Sequence, residues 1–513
     1  MGFYADRKNF PSHNQNLLLL QGRISRRSVM NTKLKEKKNF TEGPLFFRIT
    51  LFALPILLTG ILQVCYGMAD NIIVGRFSGD TGALAAVGST GTLSNLILNL
   101  VLGCAGGTGV VVAQLYGAGQ RERVSRTVHT SMVFSVFAGV AMCLLGLIIS
   151  RPMLSVMGTK PEILDRAVLY FRIICLGIPA TSVYNFGAAV LRSIGDSKRP
   201  LIILSTTGIL NVVLNVFFVV VCHMTVDGVA LATIISQYAS AVWVSVALMR
   251  YDSKGECYGF SFRKLCFDTL LIKRILRYGI PSGLQSAMFS VSNMLLQSAV
   301  NTFPTTTVSA YTIASNIDAL TYTAINSFSQ AAMTFTGQNF GAGKVERIKR
   351  VLIYSLLQTV IVGVLIGQIE LLFGEQLAGL YVSPDDPSAP IVIDTAMQVI
   401  TLLLSTYFIA GIMDCMSGAL RGMGYSIIPM LVSLSSICGV RTLWVFFVFP
   451  IEKMHTIRGL LLSYPVTWSL ASVIFVILAI YAYRKIKNEL SVAADAASTS
   501  EKREISDENE VKV

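Results

Sequence analysis

Twelve apolar segments recur along this 513-residue chain, and they decide what it can fold into. They run over about 46–74, 81–114, 126–150, 163–190, 199–222, 228–250, 271–300, 306–338, 350–373, 391–418, 426–449 and 457–483. A bilayer core of about 30 Å needs about 20 predominantly apolar residues of helix. Most of these segments reach or exceed that length. Charged residues make up only 14% of the chain, against about 25% in soluble proteins. Soluble enzymes, disordered chains and fibrous proteins are excluded. The sequence predicts an all-α polytopic membrane protein of twelve transmembrane helices.

Lys and Arg set the expected orientation. With the N-terminus inside, 33 of them fall on the cytoplasmic side and 6 on the outer side. Such a bias places both termini in the cytoplasm of a multi-pass plasma-membrane protein. The net charge of +13 therefore serves topology, not nucleic-acid binding. Residues 1–45 form a basic tail, within which Met30 reads as the start and 1–29 as an untranslated or poorly ordered extension. A six-helix lobe is expected over 46–250, a cytoplasmic linker over 251–270, a second six-helix lobe over 271–484 and a disordered cytoplasmic tail over 485–513.

The two lobes repeat. Gln114 to Arg123 (QLYGAGQRER) answers to Gln338 to Arg347 (QNFGAGKVER) at an offset of 224. Leu191-Arg192-Ser193-Ile194-Gly195 answers to Leu420-Arg421-Gly422-Met423-Gly424 at 229, and Leu54-Pro55 to Ile280-Pro281 at 226. Both repeats contain an even number of helices, so a pseudo-twofold axis along the membrane normal relates them, an architecture of transporters. Gly117 and Gly119 are read as allowing a tight turn between helices 2 and 3. No HExxH, Walker A or CxxC constellation is present, so catalysis and direct ATP use are not expected.

Ionisable groups inside a membrane cost about 2.5–3.5 kcal/mol on insertion scales and mark function by default. Asp70 lies late in helix 1, following Gln63 and Tyr66 on one helical face. Asn211 and Asn215 stand four apart on helix 5, and Thr233 lies at a matching depth on helix 6. One carboxylate with amide and hydroxyl oxygens suits a hard cation or a proton. The alternative for the two asparagines is interhelical hydrogen bonding alone. In the second half, Asp318 and Arg441 fall at similar depth and are expected to pair. Asp414, at the repeat equivalent of Asn185, is expected near the central cavity together with Asp318. Arg192 and Arg421 end inward-running helices, where a cation suits the helix dipole.

These features together resemble the multidrug and toxic compound extrusion (MATE) family: the Pro55–Arg76 stretch with its late Asp, the two QxxGAG loops, the LRxxG turns and Asn211–Phe217. The resemblance covers about 46–483. It implies two six-helix lobes that alternate between inward and outward V shapes. It also implies export of small drugs or lipophilic cations in exchange for H+ or Na+, with no cofactor beyond that ion. Its ion site maps onto Asp70, Asn211, Asn215 and Thr233. The chain has Asn at 215 where many members carry an acid, and Ser290 and Val291 on helix 7 where some members carry one. The resemblance therefore leaves Asp70 as the coupling residue. A flippase or exporter of lipid-linked saccharides from the same broad superfamily is the alternative. The expected partners are small molecules and membrane lipid, with no nucleic acid and no implied oligomer.

Overall fold

The computed structural model describes residues 40–77, 81–157, 159, 161–382 and 387–510, without the side chains of 69–72, 74–77, 81–88, 92 and 493–510. The readings made on 1–39, including Met30, lie outside the described residues. The architecture is helical, with no strand among the described residues. The first lobe holds α1 (Leu45–Phe77), α2 (Thr81–Gly117), α3 (Arg121–Val156), α4 (Pro161–Ser193), α5 (Lys198–Val221) and α6 (Val226–Asp252). The second holds α7 (Thr269–Val300), α8 (Thr305–Gly341), α9 (Val345–Leu372), α10 (Ala389–Gly422), α11 (Ile427–Val448) and α12 (Ser463–Glu510). We call the membrane face rich in Lys and Arg the basic face.

Among the described residues ten helical segments are apolar enough, by length and composition alone, to cross a bilayer; α7 and α8 are not among them. They are nonetheless 32 and 37 residues long. Many of their Ser, Thr, Asn and Gln, among them Gln285, Ser292, Thr321, Ser329 and Gln338, are buried in the protein, where polar groups find partners instead of lipid. The chain is thus a twelve-helix membrane protein in two lobes. Most of these helices exceed 20 residues, and such lengths are accommodated by tilting.

The repeat extends to backbone irregularities. Pro55 lies inside α1 and Pro281 inside α7. A proline within a helix removes a hydrogen bond and kinks it. The hydroxyl of Thr59 donates to the Pro55 carbonyl at 2.7 Å. Near its outer end α5 loosens into a π-turn at Phe217–Val221, and α11 does the same at Trp444–Val448. A second π-segment, Leu434–Gly439, occurs only in α11 among the described residues.

The lobes meet mainly along α1, α2, α7 and α8. Gly103 of α2 and Gly283 of α7 touch backbone to backbone, and a Cβ on Gly103 would overlap Gly283. Small residues are what permit such approach between membrane helices. The inter-lobe linker folds back onto the first lobe, where the Ser261 amide donates to His129 Nε2 at 3.0 Å and Lys264 pairs with Asp252 at 2.7 Å. The α12 helix continues to Glu510, past residue 485 where disorder is expected. Its Ala-, Glu- and Lys-rich composition favours helix, and Lys487 bridges to Glu346 of α9 at 2.8 Å.

Candidate functional site

The QxxGAG loops do more than turn the chain. Gly119 and Gly343 do adopt left-handed φ of 69° and 68°, which suits glycine at a helix C-terminus. Gly117 and Gly341 have another role. A Cβ on Gly117 would overlap the Gln338 carbonyl, and one on Gly341 the Gln114 carbonyl. The glycines thus bring the inner ends of α2 and α8 together across the lobe boundary. There Gln114 donates to the Gly422 carbonyl of α10 at 2.9 Å, while Gln338 donates to the Ser193 carbonyl of α4 at 2.7 Å. Gln114 and Gln338 are repeat equivalents, and so are Ser193 and Gly422. The two bonds form one reciprocal latch across the pseudo-twofold axis. Each amide oxygen is held as well, Gln114 by Arg274 at 2.9 Å and Gln338 by the Phe40 amide at 3.0 Å. The latch closes the basic face.

Beyond the latch lies a cavity of about 580 Å³. Its wall is drawn from both lobes: α1 (Thr59, Gln63), α2 (Asn99, Gly106), α4 (Asn185, Arg192), α7 (Ser286), α8 (Tyr322, Asn326, Gln330) and α10 (Arg421). Asn99 donates to Ser290 at 3.2 Å across the lobe boundary. Of the sequence-predicted residues, Gln63 lines this cavity. Asp318 and Asp414 do not appear in its wall.

The structure brings Asn211, Asn215 and Thr233 together. Asn215 donates to Asn211 Oδ1 at 3.3 Å, and Asn211 to Thr233 Oγ1 at 3.4 Å. Asn215 is fully buried and Asn211 nearly so. Tyr66 joins α1 to α5, its hydroxyl donating to the Ser205 carbonyl at 3.0 Å while its ring sits over Gly208. Further along α1, Ile73 packs with Val219, Val226 and Val229. This stretch of α1 therefore lies against α5 and α6. The side chain of Asp70 lies outside the described residues; its backbone is within α1.

A family model named MatE matches residues 55–217 and 281–446, one block in each lobe and more than half of the chain. The chain belongs to the MATE family. It is 26% identical over 439 residues to the probable multidrug resistance protein YoeA of Bacillus subtilis, covering 85% of this chain and 92% of that one. It is 26% identical over 400 residues to the probable multidrug resistance protein NorM of Thermotoga maritima, covering 76% and 82%. In fold it is similar to a MOP superfamily transporter from Pyrococcus furiosus, with a TM-score of 0.82 at 21% identity, covering 89% of this chain and all of that one.

The second lobe of this MATE protein carries a different interior. Arg441 does not pair with Asp318. It is 2% exposed and directs its guanidinium to α7, where it donates to Ser292 at 3.3 Å and Asn293 at 3.0 Å. It also lies 4.3 Å from the centre of the Tyr464 ring. Both bonds come from Nη1, while Nε is buried with no hydrogen-bond partner. Asp318 instead receives the Tyr407 hydroxyl, and its Oδ1 is buried without a partner. One turn on, Thr321 donates to Glu370 Oε2 at 2.8 Å. Glu370 sits in the last turn of α9 and is 3% exposed. The apolar neighbours Ile369, Leu371, Leu372 and Phe373 are the signal that keeps it inside the helix.

Proposed function

We propose that this MATE protein is a secondary active antiporter that exports amphipathic compounds across the plasma membrane in exchange for H+ or Na+. One observation carries the reading: a cavity shared by two pseudo-symmetric lobes, closed at the basic face by a reciprocal latch. The cavity volume falls in the range of drug-sized sites, roughly 300–1,000 Å³. Taking the basic face as cytoplasmic, this arrangement is closed inward. Parting the lobes there would break the two latch bonds and the Arg274–Gln114 and Phe40–Gln338 bonds beside them, each contributing about 0.5–1.5 kcal/mol. A sum of that size is within reach of a ligand or ion that prefers one state, since about 1.4 kcal/mol shifts populations tenfold.

Asp70 supplies the coupling charge in this reading. The Asn211–Asn215–Thr233 chain offers neutral oxygens on the helices against which α1 packs. Neutralising Asp70 with a proton or cation removes a burial cost in one conformation more than in the other, and that difference moves the lobes. No cofactor other than the coupling ion is required.

Purified protein in liposomes, loaded with a fluorescent amphipath and driven separately by pH and Na+ gradients, tests the proposal. Efflux driven by at least one gradient is expected. Equal efflux with and without both gradients contradicts it.

A further inference from the structure

The MATE resemblance implies amphipathic or cationic cargo, but the cavity wall carries the sign that suits an anion. Arg192 of α4 and Arg421 of α10 both line it, and no Asp or Glu appears among the described lining residues. The two arginines are repeat equivalents from the LRxxG turns, so the pseudo-twofold axis places one guanidinium in each lobe's share of the wall. Both are half-buried. Among the described residues neither has a carboxylate within salt-bridge distance, and Arg421 Nε is buried with no hydrogen-bond partner.

The surroundings of the two are not identical. Asp414 and the Tyr322 ring approach Arg421 from its own lobe. Asn185 occupies the position equivalent to Asp414, and among the described residues Tyr184 is the titratable group that bears on Arg192. Asn185 lines the cavity and spends its amide on the Thr181 carbonyl at 2.8 Å. Even with Asp414 ionised, two guanidinium charges face one carboxylate, and that carboxylate is not in the wall. A desolvated, unpaired charge is costly, so this wall favours a ligand that brings an anion. Guanidinium forks match carboxylates, sulfonates and phosphates in bidentate geometry. The rest of the wall, with Gln63, Asn99, Asn326, Gln330 and apolar Ile56, Leu102 and Met333, suits an uncharged or apolar body.

We infer that Arg192 and Arg421 form an anion-recognition site in the central cavity, and that the transported class is a drug-sized amphipathic anion bound headgroup-first by the guanidinium pair. This rests on the exporter reading above and names its substrate class. Arg192, without a neighbouring acid, is the stronger of the two contacts.

The test compares a carboxylate-bearing fluorescein dye with a cationic rhodamine dye, each in binding to purified protein and in efflux from liposomes. The wild-type protein is expected to bind the anionic dye at least tenfold more tightly than the cation. Arg192→Gln is expected to weaken anion binding at least tenfold and Arg421→Gln at least threefold, without weakening cation binding. Arg192→Lys is expected to recover part of the loss. Asn185→Asp, which places an acid beside Arg192 without removing it, is expected to weaken anion binding severalfold, and it serves if the Gln variants do not fold. Preference of the wild type for the cation, or unchanged anion binding in Arg192→Gln or in Asn185→Asp, overturns the inference. If the anion binds as expected but no gradient drives its efflux, the exporter reading fails and the binding site stands. If gradients drive only the cation, the exporter reading stands and this inference fails.

Discussion

The described polar cluster between α5 and α6 of the first lobe is neutral: Asn211, Asn215 and Thr233 hand hydrogen bonds from α5 to α6. In the second lobe the interior groups are ionisable: Asp318 on α8 with a buried Oδ1, and the buried Glu370 on α9 and Arg441 on α11, none ion-paired with another among the described residues. The helices differ as well. The image of α1, α5 and α6 in the second lobe is α7, α11 and α12, whereas the second lobe's carboxylates stand on α8 and α9. The lobe boundary behaves otherwise. There the repeat is kept residue by residue in the Gln114–Gly422 and Gln338–Ser193 bonds, in the paired arginines and in the prolines of α1 and α7. Surfaces that must meet across the pseudo-twofold axis constrain one another, because a change on one side leaves a buried polar group unpaired on the other. Interiors face only their own lobe and are free to diverge.

The sharpest way to break this comparison is to neutralise each lobe in turn. Asp70→Asn is expected to abolish gradient-driven efflux while leaving dye binding within about a factor of 3. If efflux keeps the wild-type rate and pH dependence, coupling does not reside in the first lobe. Next in size is Arg441→Met, which removes two charge-assisted hydrogen bonds and the Tyr464 stacking. A loss of about 2–4 kcal/mol is expected, read as a fall in the thermal unfolding midpoint in detergent. An unchanged midpoint means that the Arg441 contacts add no net stability. Gln114→Leu removes one arm of the latch, and a shift of about 1 kcal/mol toward lobes parted at the basic face is expected. Gln338→Leu should match it within a factor of 2 in the resulting population, because the arms are equivalent; a large asymmetry breaks the symmetry argument. The smallest effect is expected from Glu370→Gln, which keeps an acceptor for Thr321. Efflux and its pH dependence should remain as in the wild type, and loss of either places coupling in the second lobe.

The fold is largely legible in the sequence because bilayer thickness imposes a length on every apolar run and the repeat imposes the pairing of lobes. The Asn211, Asn215 and Thr233 cluster is legible for a similar reason: i, i+4 spacing fixes a face, and helix direction fixes depth. Azimuth between non-adjacent helices is not legible, and that is why Asp318 and Arg441, equal in depth, do not meet. Gln114 and Gln338 show another limit. A glutamine beside a glycine turn reads as loop polarity, and only the neighbouring backbone makes it a latch. The cavity's sign is hidden for the same reason, since Arg192 and Arg421 at helix ends satisfy the helix dipole whether or not they face a cavity.

The central claim is that the two lobes part at the basic face during transport. Spin labels at Arg123 and Lys349, both exposed and flanking the latch in opposite lobes, report that motion in a functional background with the nine cysteines replaced. The account predicts two distance populations whose ratio changes with pH or Na+ and with bound substrate, and whose longer member grows in Gln114→Leu. A single distance, unmoved by ion, substrate or that substitution, would contradict it.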